Sequence, residues 1–228
     1  MSLLSDTMSA LKSARSISSS ALVAYSDGKD SRVVMDLACR TFDHVEGFFM
    51  YYVPGLEFLE NGLEEAHKRW GVKIHQYPHW SSLNALKYGV FCDAPSERDS
   101  LPDLKVFDIY ACAMVETGIP IILTGAKRAD SGWRRRYMNQ NDRREVINPL
   151  AQWTRFDVLA YLRAHGIPLP HQSGTISSGI DLMSRELLWM YDNYPKDFAK
   201  FCEYFPYAMA VIKRREFYGT GASGGPAR

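Results

Sequence analysis

The apolar positions of this chain follow two rhythms. Short continuous runs bounded by polar residues occur at "ALVAYS" (Ala21–Ser26), "VEGFFMYYV" (Val45–Val53), "VKIHQY" (Val72–Tyr77), "IPIILTG" (Ile119–Gly125) and "EVINPL" (Glu145–Leu150), and each reads as a strand. Between them the period becomes helical. Val33, Val34, Leu37, Ala38 and Phe42 share one face over about residues 30–42, and Leu56, Leu59, Leu63, Ala66 and Trp70 share the next, with Gly71 at the capping position. Lys105–Gly118 is helical by period. Thr154–Gly166 has a clear start and stop: Thr154 and Asp157 form a capping box and Gly166 closes the far end. The strands are continuous rather than alternating and they mostly alternate with helices. That order predicts an α/β fold, a mostly parallel twisted sheet with helices on both faces.

Residues 78–103 break the rhythm, punctuated by Pro78, Gly89, Pro95 and Pro102, and are expected to be a long irregular connection. From about Ile180 onward the chain reads as helical, and "GTGASGGPAR" reads as a flexible end. The expected division is an α/β domain over 1–175, a helical C-terminal extension over 176–218 and a tail over 219–228.

Composition narrows the setting. The 228 residues are 46 % apolar and 23 % charged, as in an ordinary globular protein, and the formal charge is +1. So balanced a charge provides no long-range attraction for nucleic acid, although Arg134–Arg136 and Lys213–Arg215 are local basic patches that could meet phosphates. No apolar run approaches the roughly 20 residues of a membrane span, and no leader is visible before "ALVAY", so a cytoplasmic protein without membrane contact is expected. Cys39, Cys92, Cys112 and Cys202 are far apart, which predicts neither zinc nor an iron–sulfur cluster and a reducing compartment. Cys39 and Cys112 fall within helical periods and are expected in the core. Cys92 would need a basic neighbour to become a nucleophile, and Arg98 is the nearby candidate in sequence.

The chemistry concentrates in "YSDGKDS", Tyr25–Ser31, between the first strand and the first helix of the pattern. Gly28 lets the backbone turn sharply, the helix start offers amides to an anion, Ser26 and Ser31 add hydroxyls and Lys29 adds a charge, so the packet reads as an anion cradle. Asp27 and Asp30 would repel a phosphate, so at least one is expected to face Mg²⁺ or to cap the helix. The spacing fits neither GxxxxGK[ST] nor GxGxxG. His79 and His171 are expected in loops on the ligand side.

The packet resembles the PP-loop, SGGxDS, of N-type ATP pyrophosphatases and phosphoadenosine phosphosulfate (PAPS) reductases. Ser26, Gly28, Asp30 and Ser31 match, and Asp27 stands where glycine is usual. "TGAKRADSGWRRR" resembles the GxRxxES stretch through Gly125, Lys127, Asp130 and Ser131, followed by Arg134 and Arg135. "INPLAQWTRFDVLAYLRAHGIPLP" and "MYYVPGLEFLENGLEEAHKRWGVKI" are similar to the family's later and earlier segments, so the resemblance spans roughly residues 20–170.

The resemblance implies an adenine nucleotide alpha hydrolase-like fold that binds ATP or another adenine nucleotide, PAPS included, with Mg²⁺. Tyr25, Ser26, Asp27, Gly28, Lys29, Asp30 and Ser31 would form the cradle. The backbone of Phe49, Met50 and Tyr51 would read adenine. Gly125, Lys127, Arg134 and Arg135 would meet anionic groups, with Arg128 replacing Lys127 if the register slips by one. Lys29, Asp30, Lys127 and Arg134 are the implied catalytic set and Asp30 the implied metal ligand. PAPS reductases also resemble one another in a C-terminal ECGxH-type motif that this chain lacks, since Cys202 lies in "KFCEYF". That favours ATP pyrophosphatase chemistry on an acceptor over thiol reduction. The alternatives are a PAPS-binding reductase-like protein, or a non-catalytic nucleotide-binding partner of a DNA-associated, ParB-like or phage DNA-modification system. A homo-oligomer is compatible with either.

Overall fold

The computed structural model describes residues 3–132, 135–136, 138, 145–170 and 182–219. Five strands form one parallel sheet in the order β3-β2-β1-β4-β5: β1 (Ser20–Ala24), β2 (His44–Tyr51), β3 (Ile74–Pro78), β4 (Ile122–Leu123) and β5 (Val146–Ile147). The helices are α1 (Leu3–Arg15), α2 (Lys29–Cys39), α3 (Glu57–Trp70), α4 (Trp80–Lys87), α5 (Val106–Thr117), α6 (Arg155–Ala164), α7 (Ser184–Asn193), α8 (Pro195–Tyr204) and α9 (Met209–Tyr218). None of the described helices is long and apolar enough to cross a membrane.

β1, β4 and the middle of β2 are buried on both faces, and the period of two sorts their side chains. Ala21, Val23, Tyr25, Ile121 and Leu123 join the larger core, which also holds Val33, Val34 and Leu37 of α2 and Val158 and Leu162 of α6. Leu22, Phe48 and Ile122 point the other way, into a smaller core closed by Ala113 of α5. The larger core continues without a break through Leu187, Met190, Phe198, Phe201, Phe205 and Ile212 of the last three helices. Asp197 ties that region to α3, its carboxylate accepting the amides of Glu57 and Phe58 (2.9 and 3.1 Å) at a helix start that lacks a side-chain cap of its own.

The structure corrects several expectations. One element is not foreseen by the sequence pattern at all: Leu3–Arg15 forms α1, whose Thr7, Leu11 and Ala14 recur at helical spacing and are buried. Thr7 accepts the indole N–H of Trp153 at 2.9 Å. The stretch 78–103 contains α4 and a short 3₁₀ turn over Arg98–Ser100, so it is not wholly irregular. The paired parts of β4 and β5 are two residues each. Cys112 is exposed on α5, not core, and Cys39 is half-buried. The capping box at Thr154 and the left-handed cap at Gly71 are as the sequence predicts.

Chain order sets the location of a site. From β1 the chain moves outward to β2 and β3, then returns to the far side of β1 with β4. In a sheet wound this way the crevice opens at the carboxyl ends of the two strands where the direction reverses, here β1 and β4.

Candidate nucleotide site

Tyr25–Ser31 leaves the end of β1 and enters α2 at that crevice. Ser31, the third helical residue, turns its hydroxyl inward. It accepts the amides of Gly28 (3.1 Å) and Ser26 (3.2 Å), donates to the Gly28 carbonyl (3.0 Å), and lies 3.4 Å from Ser26 Oγ. Ser31 therefore shapes the loop, and its hydroxyl is not the anion donor the sequence suggested. The amides of Lys29 and Asp30, the first two of the helix, have no partner within it and are the donors left for a ligand.

Asp27 takes a left-handed backbone, φ 56°, a conformation that glycine adopts at no cost and that Asp tolerates better than most residues. Its carboxylate is buried and points away from the crevice. Oδ1 accepts from Tyr25 Oη (2.9 Å), Arg32 Nε (3.1 Å) and Arg32 Nη2 (2.8 Å). Arg32 is itself 2 % exposed and also donates to Glu65 and to the Pro168 carbonyl. Asp27 thus does not cap the helix, and of the two carboxylates it is Asp30 that is left for the crevice. Burial, and after it the Asp27 charge, push the Tyr25 hydroxyl well above its ordinary range. Burial works against the Arg32 charge, and Asp27, Tyr25 and Glu65 together more than offset it. The arrangement constrains α3 too, since a Cβ on Gly62 would sit 2.4 Å from Asp27 Oδ2.

Asp30 faces the crevice with a lysine on each oxygen. Lys29 Nζ is 2.6 Å from Oδ2, and Lys127 Nζ, from the loop after β4, is 2.7 Å from Oδ1. Lys127 is 2 % exposed and also pairs with Asp130 at 3.1 Å. The Lys127–Asp30 contact is close but not aligned as a hydrogen bond, so Asp30 Oδ1 is buried without a hydrogen-bond partner. An oxygen of that kind, in a carboxylate donor, fits Mg²⁺ or a donor brought by a ligand. Among the described residues no group of three His, Cys, Asp or Glu side chains is arranged to hold a metal ion. Gly125 brings the two halves together: a Cβ there would lie 3.1 Å from Asp30 Cβ and 3.2 Å from Ser31 N. Thr124 and Asn148, joined at 2.6 Å, tie the end of β4 to that of β5.

Phe49–Tyr51 ends β2 beside the cradle. Tyr25 N–H donates to Phe48 O, whereas His79 N–H donates to Tyr51 O and Gly47 N–H to Lys73 O. Even-numbered peptides of β2 therefore face β1 and odd-numbered ones face β3. Met50 presents its N–H and C=O on the β1 side, beyond the last residue of that strand. Phe49, buried, packs in the larger core. Arg128 and Arg135 line a separate cleft, and Arg134 and His171 lie outside the described residues. Arg98 pairs with Asp99, and burial followed by the Asp93 charge raises the Cys92 thiol, so Arg98 does not activate that cysteine.

His79 caps α4, its Nδ1 accepting the Ser81 amide at 3.1 Å, with its ring stacked 4.8 Å from that of Tyr52. The Tyr52 hydroxyl in turn bonds Ser81 Oγ. Burial pushes the His79 pKa down to about 4, so the imidazole is neutral at physiological pH. Because the folded value lies below the ordinary 6.5, the unfolded chain binds the extra proton first. Stability from this site is complete above about pH 6.5 and is lost as pH falls toward about 4, by an amount on the order of 3 kcal/mol. His79→Gln should flatten the melting temperature across that window relative to wild type. Parallel curves for the two proteins would contradict this.

The parallel sheet, the helices on its faces and the helical C-terminal extension make up an adenine nucleotide alpha hydrolase-like fold. The chain belongs to the phosphoadenosine phosphosulfate reductase domain family, whose profile matches residues 20–171. No protein of curated function matches the sequence. Among solved structures the fold is similar to that of the NH3-dependent NAD synthetase from Campylobacter jejuni, at 10 % identity over 99 % of this chain and 96 % of that one, with a TM-score of 0.51. It is similar also to the U34-tRNA thiolase NcsA from Methanococcus maripaludis, at 12 % identity over 92 % and 79 % of the two chains, TM-score 0.50. The PAPS reductase from Candida auris aligns at 18 % identity over 74 % of this chain and 87 % of that one, with a TM-score of 0.47.

Proposed function

We propose that the crevice binds ATP and that the chain activates an acceptor by attack at the α-phosphate. An acceptor oxygen or nitrogen bonds to the α-phosphorus. The bond from that phosphorus to the α–β bridging oxygen breaks, its electron pair leaves with pyrophosphate, and the acceptor proton passes to solvent. The observation that carries this reading is the convergence of Lys29 and Lys127, from different elements, on the one carboxylate of Asp30 at the mouth of the loop. A polyphosphate entering there takes over both ammonium groups and the free amides of the α2 start. Met50 offers a donor and an acceptor to the adenine edge. Asp30, released from its lysines, would hold Mg²⁺, which supplies neutralisation of the charge growing on pyrophosphate.

Cys202 supports this over thiol chemistry. It lies in α8, half-buried, with its thiol raised by burial, the opposite of what a nucleophilic thiolate needs. Incubation with ATP and Mg²⁺ should yield AMP and pyrophosphate, and calorimetry should rank ATP above AMP and PAPS. Lys127→Met should weaken ATP by about tenfold or more, the scale of one lost charge-assisted contact, while Cys202→Ser changes nothing. A preference for PAPS abolished by Cys202→Ser would establish the reductase reading instead. Tight ATP binding without turnover across acceptors would point to the non-catalytic, DNA-associated alternative.

A further inference from the structure

Lys127 and Arg128 are neighbours in sequence and serve opposite sides of the loop after β4. Lys127 turns back to Asp30 and the cradle. Arg128, its amide bonded to the Ala151 carbonyl at 3.0 Å, lines a separate cleft of about 370 Å³ between this loop and the segment that leads into α6. Arg135 lines the same cleft, and the other described residues of its wall are Ala129, Ala151, Gln152, Trp153 and Thr154. Among the described residues that line it there is no carboxylate. Asp157, at the start of α6, has its Oδ2 taken up by the Thr154 amide and hydroxyl at 2.7 and 2.6 Å.

Arg128 Nε is buried and has no hydrogen-bond partner among the described residues. A buried donor left unbonded costs about 1–3 kcal/mol, more when charged, and native structures seldom leave one without a reason such as an ion or ligand that completes it. A second arginine, Arg135, lines the same cleft. Planar forks of N–H donors with no opposing carboxylate match a tetrahedral or planar oxyanion, which they can grip through two parallel bonds.

We propose that this cleft is a second anion site, separate from the cradle, and that it takes a phosphate-type oxyanion carried by the acceptor. A nucleotide laid from Met50 across the loop after β1 would direct its phosphates toward β4, and the Arg128 cleft adjoins the loop that follows that strand. The word acceptor rests on the nucleotide reading above; the oxyanion site does not.

The test is a ³¹P NMR titration of the full chain with inorganic phosphate, paired with calorimetry of ATP. The R128Q/R135Q double variant should lose one class of phosphate site, with affinity there down about tenfold or more, while ATP affinity stays within about twofold. Arg135→Gln alone alters an exposed side chain that the fold does not need, and should show the same loss in weaker form. Phosphate saturation unchanged in both variants overturns the proposal. So does a parallel loss of phosphate and ATP, since the arginines then belong to the nucleotide site. If Lys29→Ala leaves ATP binding intact while the double variant still loses phosphate, the nucleotide reading fails and the cleft stands.

Discussion

Arg32→Met is expected to destabilise the chain by about 3–5 kcal/mol, a large share of the roughly 5–15 kcal/mol that holds a domain folded. Methionine keeps most of the side-chain volume but leaves the Asp27 carboxylate, 3 % exposed, with the Tyr25 hydroxyl as its remaining partner on Oδ1. The loss is larger than the net worth of the ion pair, because an unpaired charge stays behind in a medium that solvates it poorly. Asp27→Asn should cost much less, since asparagine tolerates φ 56° and keeps an oxygen to accept from Arg32. Denaturant melts of the three proteins decide it. Equal midpoints for wild type and Arg32→Met would mean that the buried pair is not what holds the loop.

Gly125→Ala is expected to weaken ATP several-fold, out of proportion to its effect on stability, because the start of the helix must give by a few tenths of an ångström at the donors the site relies on. Its Cβ would press on Asp30 Cβ and on the backbone at Asp30 C and Ser31 N, at 3.1–3.2 Å, and backbone cannot swing aside as a side-chain tip can. The helix start would move off the end of β4, separating Lys127 from the cradle it completes. Gly132→Ala is the control, since a Cβ there meets nothing within 4 Å. Matching ATP affinities for the two alanine variants would show that the close approach at Gly125 has no bearing on the site.

Much of this was legible in the sequence, for identifiable reasons. Continuous apolar strands report burial on both faces, and the switch to helical spacing after Gly28 located the loop at a sheet edge where ligands bind. The elements that escaped lack such a signal. The helix α1 buries little beyond Leu11, with Thr7 and Ala14 beside it, so its apolar stripe is too thin to stand out. The eight residues of α4 sit among prolines. Cys112 was misplaced because "VFDIYACAMVET" is apolar on every side, so period alone could not say that Ile109 and Ala113 face inward. In the site, residue types announced an anion cradle, but side-chain directions did not. That Ser31 turns inward, that Asp27 reaches Arg32 five positions on and that Arg32 reaches Glu65 are results of tertiary packing.

The lysines of the crevice are not idle charges awaiting a ligand. Lys127 already sits between two carboxylates, and Lys29 against one of them. Binding is then an exchange of partners, decided by the difference between the incoming anion and the residents it displaces. A weak monoanion gains nothing by the exchange, whereas a chelating polyanion that also reaches the helix amides does. Added salt screens the old pairs and the new ones together, so such a site discriminates by valence more steadily across ionic strength than a bare cationic patch would.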